Sequence, residues 1–199
     1  GKLLGARYVV FHTGSHRGAG VEAGLDAIVR GVTRVLADTP PEVVLLLEND
    51  VGAGNALGSS FEHLAIVLDA LPEYSTRLGI CLDTAHLWGA GYDIASPAGS
   101  AQVLQQFDDS VGLTRLKVIH LNDTKRELGS HRDSHSRLGE GIIKAEGLHA
   151  FLSDPRLDRI AVLLETPIKT DENDKEDWEH DAGQIALAKS LAGYSESVL

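Results

Sequence analysis

Five residues of metal-ligating types recur along the chain at intervals of about one strand and one helix. Each stands at the end of a short apolar run: His12, Glu48, Asp83, His120 and Glu165. A single carboxylate at such a place is usually a solvated loop residue. Five in succession indicate a shared site, because charges gathered in one place need a strong countercharge. Histidine with carboxylate is a ligand set that suits zinc, manganese or iron.

Two local pairs add further candidate ligands. His86 follows Asp83 by three residues, and Asp133 and His135 lie on the same side of an extended segment. His86 would complete a set of three protein ligands with that pair, which is typical of a catalytic rather than a structural zinc site. The alternative for Asp133 and His135 is a solvated, turn-rich loop.

The elements that must position these residues alternate between strand and helix. Short β-branched and apolar runs predict strands at residues 7–12, 42–49, 78–83, 116–121 and 160–166. Helical spacing and capping residues predict helices at 21–38, 60–71, 100–111, 146–153 and 177–191. Strict alternation predicts parallel strands in a doubly wound sheet or a β/α barrel. In both folds, sites lie at the carboxyl ends of the strands.

Composition sets the outer limits. The chain has 199 residues, and its hydrophobic content of 43% and charged content of 24% are ordinary for one globular domain, which we expect over residues 1–199. It contains one Cys and no Met, so we expect that it does not show its original start. Cys81 is interpreted as a core residue, and a single Cys excludes an intramolecular disulfide. With no membrane span or signal peptide visible, we expect a cytoplasmic protein without a membrane partner. The net charge of −11 by itself argues against nucleic acid.

Motifs spread over the whole chain resemble a known family in that family's order. They are Phe11-His12-Thr-Gly-Ser-His16, Leu47-Glu48-Asn49, Leu82-Asp83-Thr-Ala-His86, His120-Leu-Asn-Asp123, Asp133-Ser-His135 with Leu138-Gly-Glu-Gly141, and Leu164-Glu165-Thr-Pro167. Together they resemble the endonuclease IV family of apurinic/apyrimidinic endonucleases. The resemblance implies an α/β fold, a TIM (β/α)8 barrel of the xylose isomerase-like type. It also implies a zinc-dependent deoxyribonuclease of DNA repair that cleaves the phosphodiester 5′ to abasic sites, leaving a 3′-hydroxyl and a 5′-deoxyribose phosphate.

The same resemblance assigns the ligands of three zinc ions, for which manganese is a possible substitute. Glu48 would bridge two ions and assist as a base. His12 would bind the first of these, while the second would be held by Asp83, His120 and Glu165. The third would be held by His86, Asp133 and His135. Three divalent ions would bring the net charge of −11 to −5, which weakens the objection to DNA. Four basic residues flanking the site are candidates for DNA phosphate contacts, with plain surface charge as the alternative: Lys125, Arg126, Arg132 and Arg137.

The sequence departs from the family pattern in its first part. A further zinc-binding histidine at the end of an earlier strand is absent, as are the early loops that enter the DNA minor groove. Five strand–helix units are present where a closed barrel has eight. We therefore expect the C-terminal five units of a barrel, a weakly bound first zinc and impaired activity. The oligomeric state stays open, and the open sheet edges would have to be covered by another chain or remain an aggregation liability.

Two alternatives remain. A sugar isomerase or epimerase of the same superfamily also gathers Glu, Asp and His at strand ends, around one or two manganese or magnesium ions. An inactive metal-binding fragment or scaffold is the second alternative. His86, Asp133 and His135 discriminate against the sugar enzymes, which do not need a third ligand set.

Overall fold

Five strands form one parallel sheet in the order in which they occur along the chain. The computed structural model describes residues 5–168, 170 and 176–193. Its strands are β1 (Tyr8–His12), β2 (Val44–Glu48), β3 (Leu78–Asp83), β4 (Leu116–His120) and β5 (Ala161–Leu163). Because their order never reverses, the described strands have no switch point of a doubly wound sheet. The arrangement is that of a partial TIM barrel.

Five of the described α-helices lie between successive strands, and α6 follows β5, which confirms the predicted alternation. They are α1 (Val21–Asp38), α2 (Phe61–Asp69), α3 (Thr84–Ala90), α4 (Pro97–Ser110), α5 (Lys144–Leu152) and α6 (Trp178–Leu191). Ser60 caps α2 by accepting a hydrogen bond from the His63 N–H, as the sequence indicates. None of the helices in the described part of the chain has the length and apolarity that crossing a bilayer requires.

Several elements end or begin a few residues from their predicted bounds, and three differences bear on the site or the start of a helix. The short helix α3 was not predicted; it begins directly after β3 because Asp83 serves as its N-cap, and it ends at Gly91 in the left-handed conformation. Helix α4 begins at Pro97, capped by Ser96, three residues before the predicted start. Strand β5 has three residues instead of seven, so Glu165 lies beyond the end of the ladder.

Two apolar clusters lie on opposite faces of the sheet. The larger one packs the sheet against the helices and includes Leu45, Leu47 and Ile80. The smaller one consists of Val44, Leu46, Cys81 and Val118, with Tyr8 and Val10 packed against it. Alternation along each strand separates the two sets, so the smaller cluster marks the face that a barrel turns inward. Cys81 is fully buried there, which confirms its interpretation as a core residue.

One arginine, Arg77, links the start of β3 to the end of α1 and to the segment before β2. The Arg77 guanidinium donates hydrogen bonds to the carbonyl oxygens of Leu36 (2.9 Å), Pro40 (2.9 Å) and Val43 (3.3 Å), and also contacts Thr39. These carbonyls belong to the end of α1 and the segment that leads into β2. Arg77 therefore stabilises the end of the sheet opposite the predicted ligands.

Candidate metal centre

The predicted ligands continue the inward-facing rows of the strands. His12 and Glu48 follow the inward residues Val10 and Leu46 by two positions. The ladder pairs His12 with Glu48, and Asp83 with His120. Because side chains on a strand repeat every second residue, these four point to the same face as the small apolar cluster. The structure therefore brings the strand-end residues together above an apolar floor.

Four of the predicted ligands form one compact donor group. Glu48, Asp83, His120 and Glu165 each offer an oxygen or nitrogen, and these atoms all lie within 4.8 Å of one another. The His120 Nδ1 is 2.9 Å from the Glu48 Oε1 and 3.1 Å from the Glu165 Oε2. Three of the four are buried, and Glu165 is exposed.

A second donor group adjoins the first. Donor atoms of Asp83, His86 and His135 also lie within 4.8 Å of one another. The His86 Nε2 is 3.2 Å from the Asp133 Oδ1 and 3.4 Å from the His135 Nε2. On its other side, the His86 Nδ1 is 2.9 Å from the Asn49 carbonyl oxygen. A carbonyl only accepts, so Nδ1 carries a proton, and Nε2 is the nitrogen that faces Asp133 and His135 and is available to a cation.

His12 stands apart from both groups. Its side chain is 53% exposed, with Nε2 3.7 Å from the Glu48 Oε2 and Nδ1 3.8 Å from the Asp50 Oδ2. Among the described residues, His12 belongs to none of the groups whose donor atoms converge within 4.8 Å. The position predicted for the first zinc is the least complete of the three.

Histidines supply the positive charge that the protein itself contributes to the centre. Burial by itself would raise the pKa of Glu48, but the His120 hydrogen bond and the neighbouring histidines outweigh it and lower that pKa. Burial by itself would lower the pKa of His86, but the charges of Asp83, Asp133 and Glu48 raise it. The pKa of His120 is raised for the same kind of reason, with the Glu48 hydrogen bond outweighing burial. Within the described chain, the ion pairs of these carboxylates are all to histidines.

The donor chemistry fits divalent cations. Carboxylates and imidazoles converge at a place where no lysine or arginine of the described residues forms an ion pair with them, and protons on histidine are the alternative source of positive charge. The thiol of Cys81 also lies within reach of the Glu48 and His120 donor atoms. Burial and the nearby carboxylates raise the pKa of that thiol far above its ordinary value, so it stays protonated.

Buried side chains that the sequence motifs contain, but to which the sequence assigned no role, support the centre. Asp123 is fully buried, and its carboxylate accepts hydrogen bonds from the N–H groups of Thr124, Gly141, Ile143 and Lys144. It thus fixes the segment that follows the Asp133–His135 loop. One feature of the sequence could have indicated this role. Asp123 follows the predicted strand at 116–121 by two residues, and a carboxylate in such a turn often accepts hydrogen bonds from backbone N–H groups.

The four basic residues differ in exposure. Lys125, Arg126 and Arg132 are exposed, whereas Arg137 is partly buried and lies 3.9 Å from Glu140. The loop that carries them is fixed to α3, because the Trp88 indole N–H donates to the Arg126 carbonyl at 2.9 Å. In the sequence, three of the four basic residues precede Asp133 and the fourth follows His135.

Comparison with known proteins identifies the family. A family model described as the xylose isomerase-like TIM barrel matches residues 2–187. A relative from Chloroflexus aurantiacus, named probable endonuclease 4, is 41% identical over 190 residues, 95% of this chain. The crystal structure of endonuclease IV from Thermus thermophilus matches 98% of this chain with 36% identity and a TM-score of 0.77. The chain belongs to the endonuclease IV family.

This member of the endonuclease IV family is shorter than the proteins it matches. It spans 64% of the length of the Chloroflexus relative and 64% of the Thermus chain. A D-tagatose 3-epimerase-like protein shares the fold, with 20% identity and a TM-score of 0.66, over 98% of this chain and 66% of that one. Family and fold thus agree with the resemblance carried by the motifs.

Proposed function

We propose that this chain carries the metal centre of a zinc-dependent endonuclease that cleaves DNA on the 5′ side of abasic sites. The products would be a 3′-hydroxyl and a 5′-deoxyribose phosphate. The observation that carries the proposal is that donor atoms of His86, Asp133 and His135 lie 3.2 to 3.5 Å apart, beside the group that contains Glu48. A centre with two adjoining donor groups suits the displacement of one phosphate oxygen by another.

Each donor group has its own part in holding zinc. Asp83, His120 and Glu165 would hold one ion with Glu48, and His86, Asp133 and His135 would hold another. His12 and Glu48 would hold a third ion more weakly, because the described residues give it fewer ligands. Bound zinc would supply Lewis acidity to the phosphoryl group and lower the pKa of a water molecule.

Glu48 is the residue we assign to proton transfer. It is 3% exposed and its lowered pKa keeps it ionised at neutral pH, so it can accept the proton that the attacking water loses. Its Oε1 is engaged by His120 at 2.9 Å, whereas its Oε2 faces the more open side, toward His12. The carboxylate is therefore fixed on one oxygen and approachable at the other.

Exposed basic side chains beside the centre would hold the DNA backbone. Lys125 and Arg132 are exposed next to the Asp133–His135 loop, and Arg137 lies just after it. We expect Lys125→Ala and Arg132→Ala to weaken binding of an abasic duplex and to lower its salt dependence by about one counterion each. Binding by fluorescence anisotropy at several salt concentrations tests this. Unchanged salt dependence would assign these residues to plain surface charge.

Incision of a synthetic duplex tests the proposed activity directly. A 5′-labelled duplex with one abasic analogue is incubated with the zinc-loaded chain, and an undamaged duplex of the same sequence serves as control. We expect chelator-sensitive incision at the abasic position, slower than by the Thermus thermophilus relative, with a product that a DNA polymerase extends. Extension requires a 3′-hydroxyl. Absence of incision by the zinc-loaded chain would contradict the proposal.

The sugar isomerase alternative makes a different prediction for the second donor group. A sugar enzyme of this fold would work with the Glu48 group alone, so His135→Ala would leave its metal-dependent turnover intact. The endonuclease proposal requires that His135→Ala abolish incision. Ketose epimerisation by the wild-type chain, assayed with manganese, would favour the sugar enzyme.

A further inference from the structure

We infer that Asn122 is a positioning residue that fixes two of the proposed ligands, Asp83 and Glu165, at the same time; the inference rests on the proposed metal centre. The Asn122 Nδ2 donates a hydrogen bond to the Asp83 Oδ2 at 2.6 Å. Its Oδ1 accepts one from the Glu165 N–H at 3.1 Å. Asn122 is fully buried; its contact to Asp83 is buried as well, and its contact to the Glu165 N–H is partly buried.

An amide is the group that these two neighbours require. The Asp83 carboxylate only accepts hydrogen bonds, and the Glu165 N–H only donates. A side chain between them must therefore donate at one end and accept at the other. Asn does this with one rigid planar group, whereas an ionised Asp of the same shape would oppose the Asp83 charge.

The contact fixes the rotation of the Asp83 carboxylate. Its Oδ1 accepts from the His86 N–H at 2.8 Å, and its Oδ2 accepts from Asn122. Each oxygen keeps a lone pair for a further partner. With both oxygens engaged from the protein side, the carboxylate is held between the two donor groups, to each of which it contributes.

At Glu165 the contact compensates for a short strand. The β4–β5 ladder ends where His120 pairs with Leu163, two residues before Glu165. The Leu121 N–H then donates to the Leu163 carbonyl oxygen at 2.8 Å, and the Asn122 side chain supplies the next link. The side chain of Glu165 is 47% exposed and contacts the His120 Nδ1 at 3.1 Å, so the Asn122 contact adds a second point of attachment, at the backbone.

Asn122 is itself held by a neighbouring hydroxyl. The Thr84 Oγ1 donates to the Asn122 carbonyl oxygen at 2.6 Å and accepts from the Asn122 N–H at 2.8 Å. Both residues are fully buried. Thr84 therefore fixes the backbone of Asn122, and this fixed backbone orients the side chain toward Asp83 and Glu165.

Zinc affinity and a cobalt spectrum test the inference without reference to activity. Zn²⁺ is titrated into the metal-free chain in competition with a chromophoric chelator, and the visible spectrum of the Co²⁺-loaded chain reports ligand geometry. The variants are Asn122→Asp, which keeps the acceptor for Glu165 but not the donor for Asp83, and Asn122→Ala, which removes both. Ser100→Ala is the matched control, because it removes a buried hydrogen bond in α4, to the Ile94 carbonyl oxygen.

We expect both Asn122 variants to bind Zn²⁺ about 10- to 100-fold more weakly and to change the cobalt spectrum, as loss of an outer contact to a ligand does. Ser100→Ala should bind as the wild type does. A folded Asn122→Asp variant with wild-type affinity and spectrum would overturn the inference while leaving the metal centre intact. A wild-type chain that binds no Zn²⁺ would overturn both.

A second pair of variants decides the question if the Asn122 variants do not fold. Thr84→Val removes the hydroxyl that locks Asn122, and Thr84→Ser retains it. Weaker zinc binding in Thr84→Val, restored in Thr84→Ser, supports the inference. Equal zinc affinity in the two variants contradicts it.

Discussion

The Nδ1 atom of His120 lies 2.9 Å from the Oε1 atom of Glu48, although 72 residues separate them in the sequence. The two residues stand on β4 and β2, with β3 between them. At the level of Glu48, the intervening strand presents the small side chain of Cys81. Together with the stagger of the strands, this small residue lets a histidine and a carboxylate from non-adjacent strands meet above the inner face.

Glu48→Gln tests the importance of that carboxylate. The amide keeps the size of the side chain but removes the charge that holds cations and the group that accepts a proton. We expect the incision rate to fall about 100- to 10,000-fold, the range found for loss of a general base. Glu62→Gln, the same change at an exposed position in the first turn of α2, is the control. Wild-type incision by the Glu48 variant would remove Glu48 from the mechanism.

Zinc binding should be coupled to proton release. The nearby carboxylates raise the pKa values of His86 and His120 against the effect of burial, and a cation must displace the protons that these rings hold. Zinc affinity should therefore fall as the pH is lowered from about 8 to about 6. Calorimetric titration in two buffers of different ionisation enthalpy measures the protons released. Identical apparent enthalpies in the two buffers would contradict the coupling.

The metal-free chain should lose stability as the pH rises. A histidine whose pKa is raised by folding stabilises the fold fully below its unfolded pKa of about 6.5. That contribution disappears as the pH passes through the raised pKa values of His86 and His120. In urea unfolding with a chelator present, the free energy of unfolding should decline above about pH 6.5. In the zinc-loaded chain, measured without chelator, this decline should be absent. A metal-free stability that rises over this interval would refute the expectation.

Arg77→Lys should destabilise the fold without affecting the metal centre. Lysine cannot reproduce the fork of the guanidinium, so carbonyl oxygens of Leu36, Pro40 and Val43 lose their donors. We expect a loss of about 2–3 kcal/mol in the free energy of unfolding, measured in urea with chelator present. Zinc affinity should be unchanged, because Arg77 lies at the opposite end of the strands. A stability within error of the wild type would contradict this account.

Gly141→Ala should disturb the segment that Asp123 holds. A Cβ atom added at Gly141 would clash with the Asp123 Oδ1 and with the Thr124 carbonyl oxygen, so neither could stay in place. We expect a loss of stability of about 1–3 kcal/mol, the usual cost of overpacking. Gly31→Ala, at an exposed position of α1 with open space around it, should instead stabilise slightly. Equal effects of the two substitutions would argue against the steric reason.

Much of the site can be predicted from the sequence, because residues that recur once per strand–helix unit are brought to the same edge of the sheet. Apolar runs predict the strands, and parallel strands place their last residues at one edge, so the residue pattern alone groups His12, Glu48, Asp83 and His120. The predicted bounds of α1, residues 21–38, match the observed helix for the same reason, because its apolar residues recur at regular helical spacing. Helix α3 escaped prediction because its seven residues are too few to show a period.

The supporting contacts could not be read from the sequence. The role of Asn122 depends on the β3–β4 and β4–β5 registers, which bring residues from three strands together. A buried asparagine after a strand looks like an ordinary turn residue in the sequence. The position of Cys81 beside Glu48 and His120 likewise depends on strand register, and the sequence indicated its burial only.

The zinc content of the chain tests the central claim most directly. The purified chain is loaded with zinc, freed of unbound ions by gel filtration and analysed by atomic emission. The two convergent donor groups predict about two zinc ions per chain, with about one each in His135→Ala and Glu165→Ala. A folded chain that retains no zinc, with every ligand intact, would contradict the assignment of these strand ends as a metal centre.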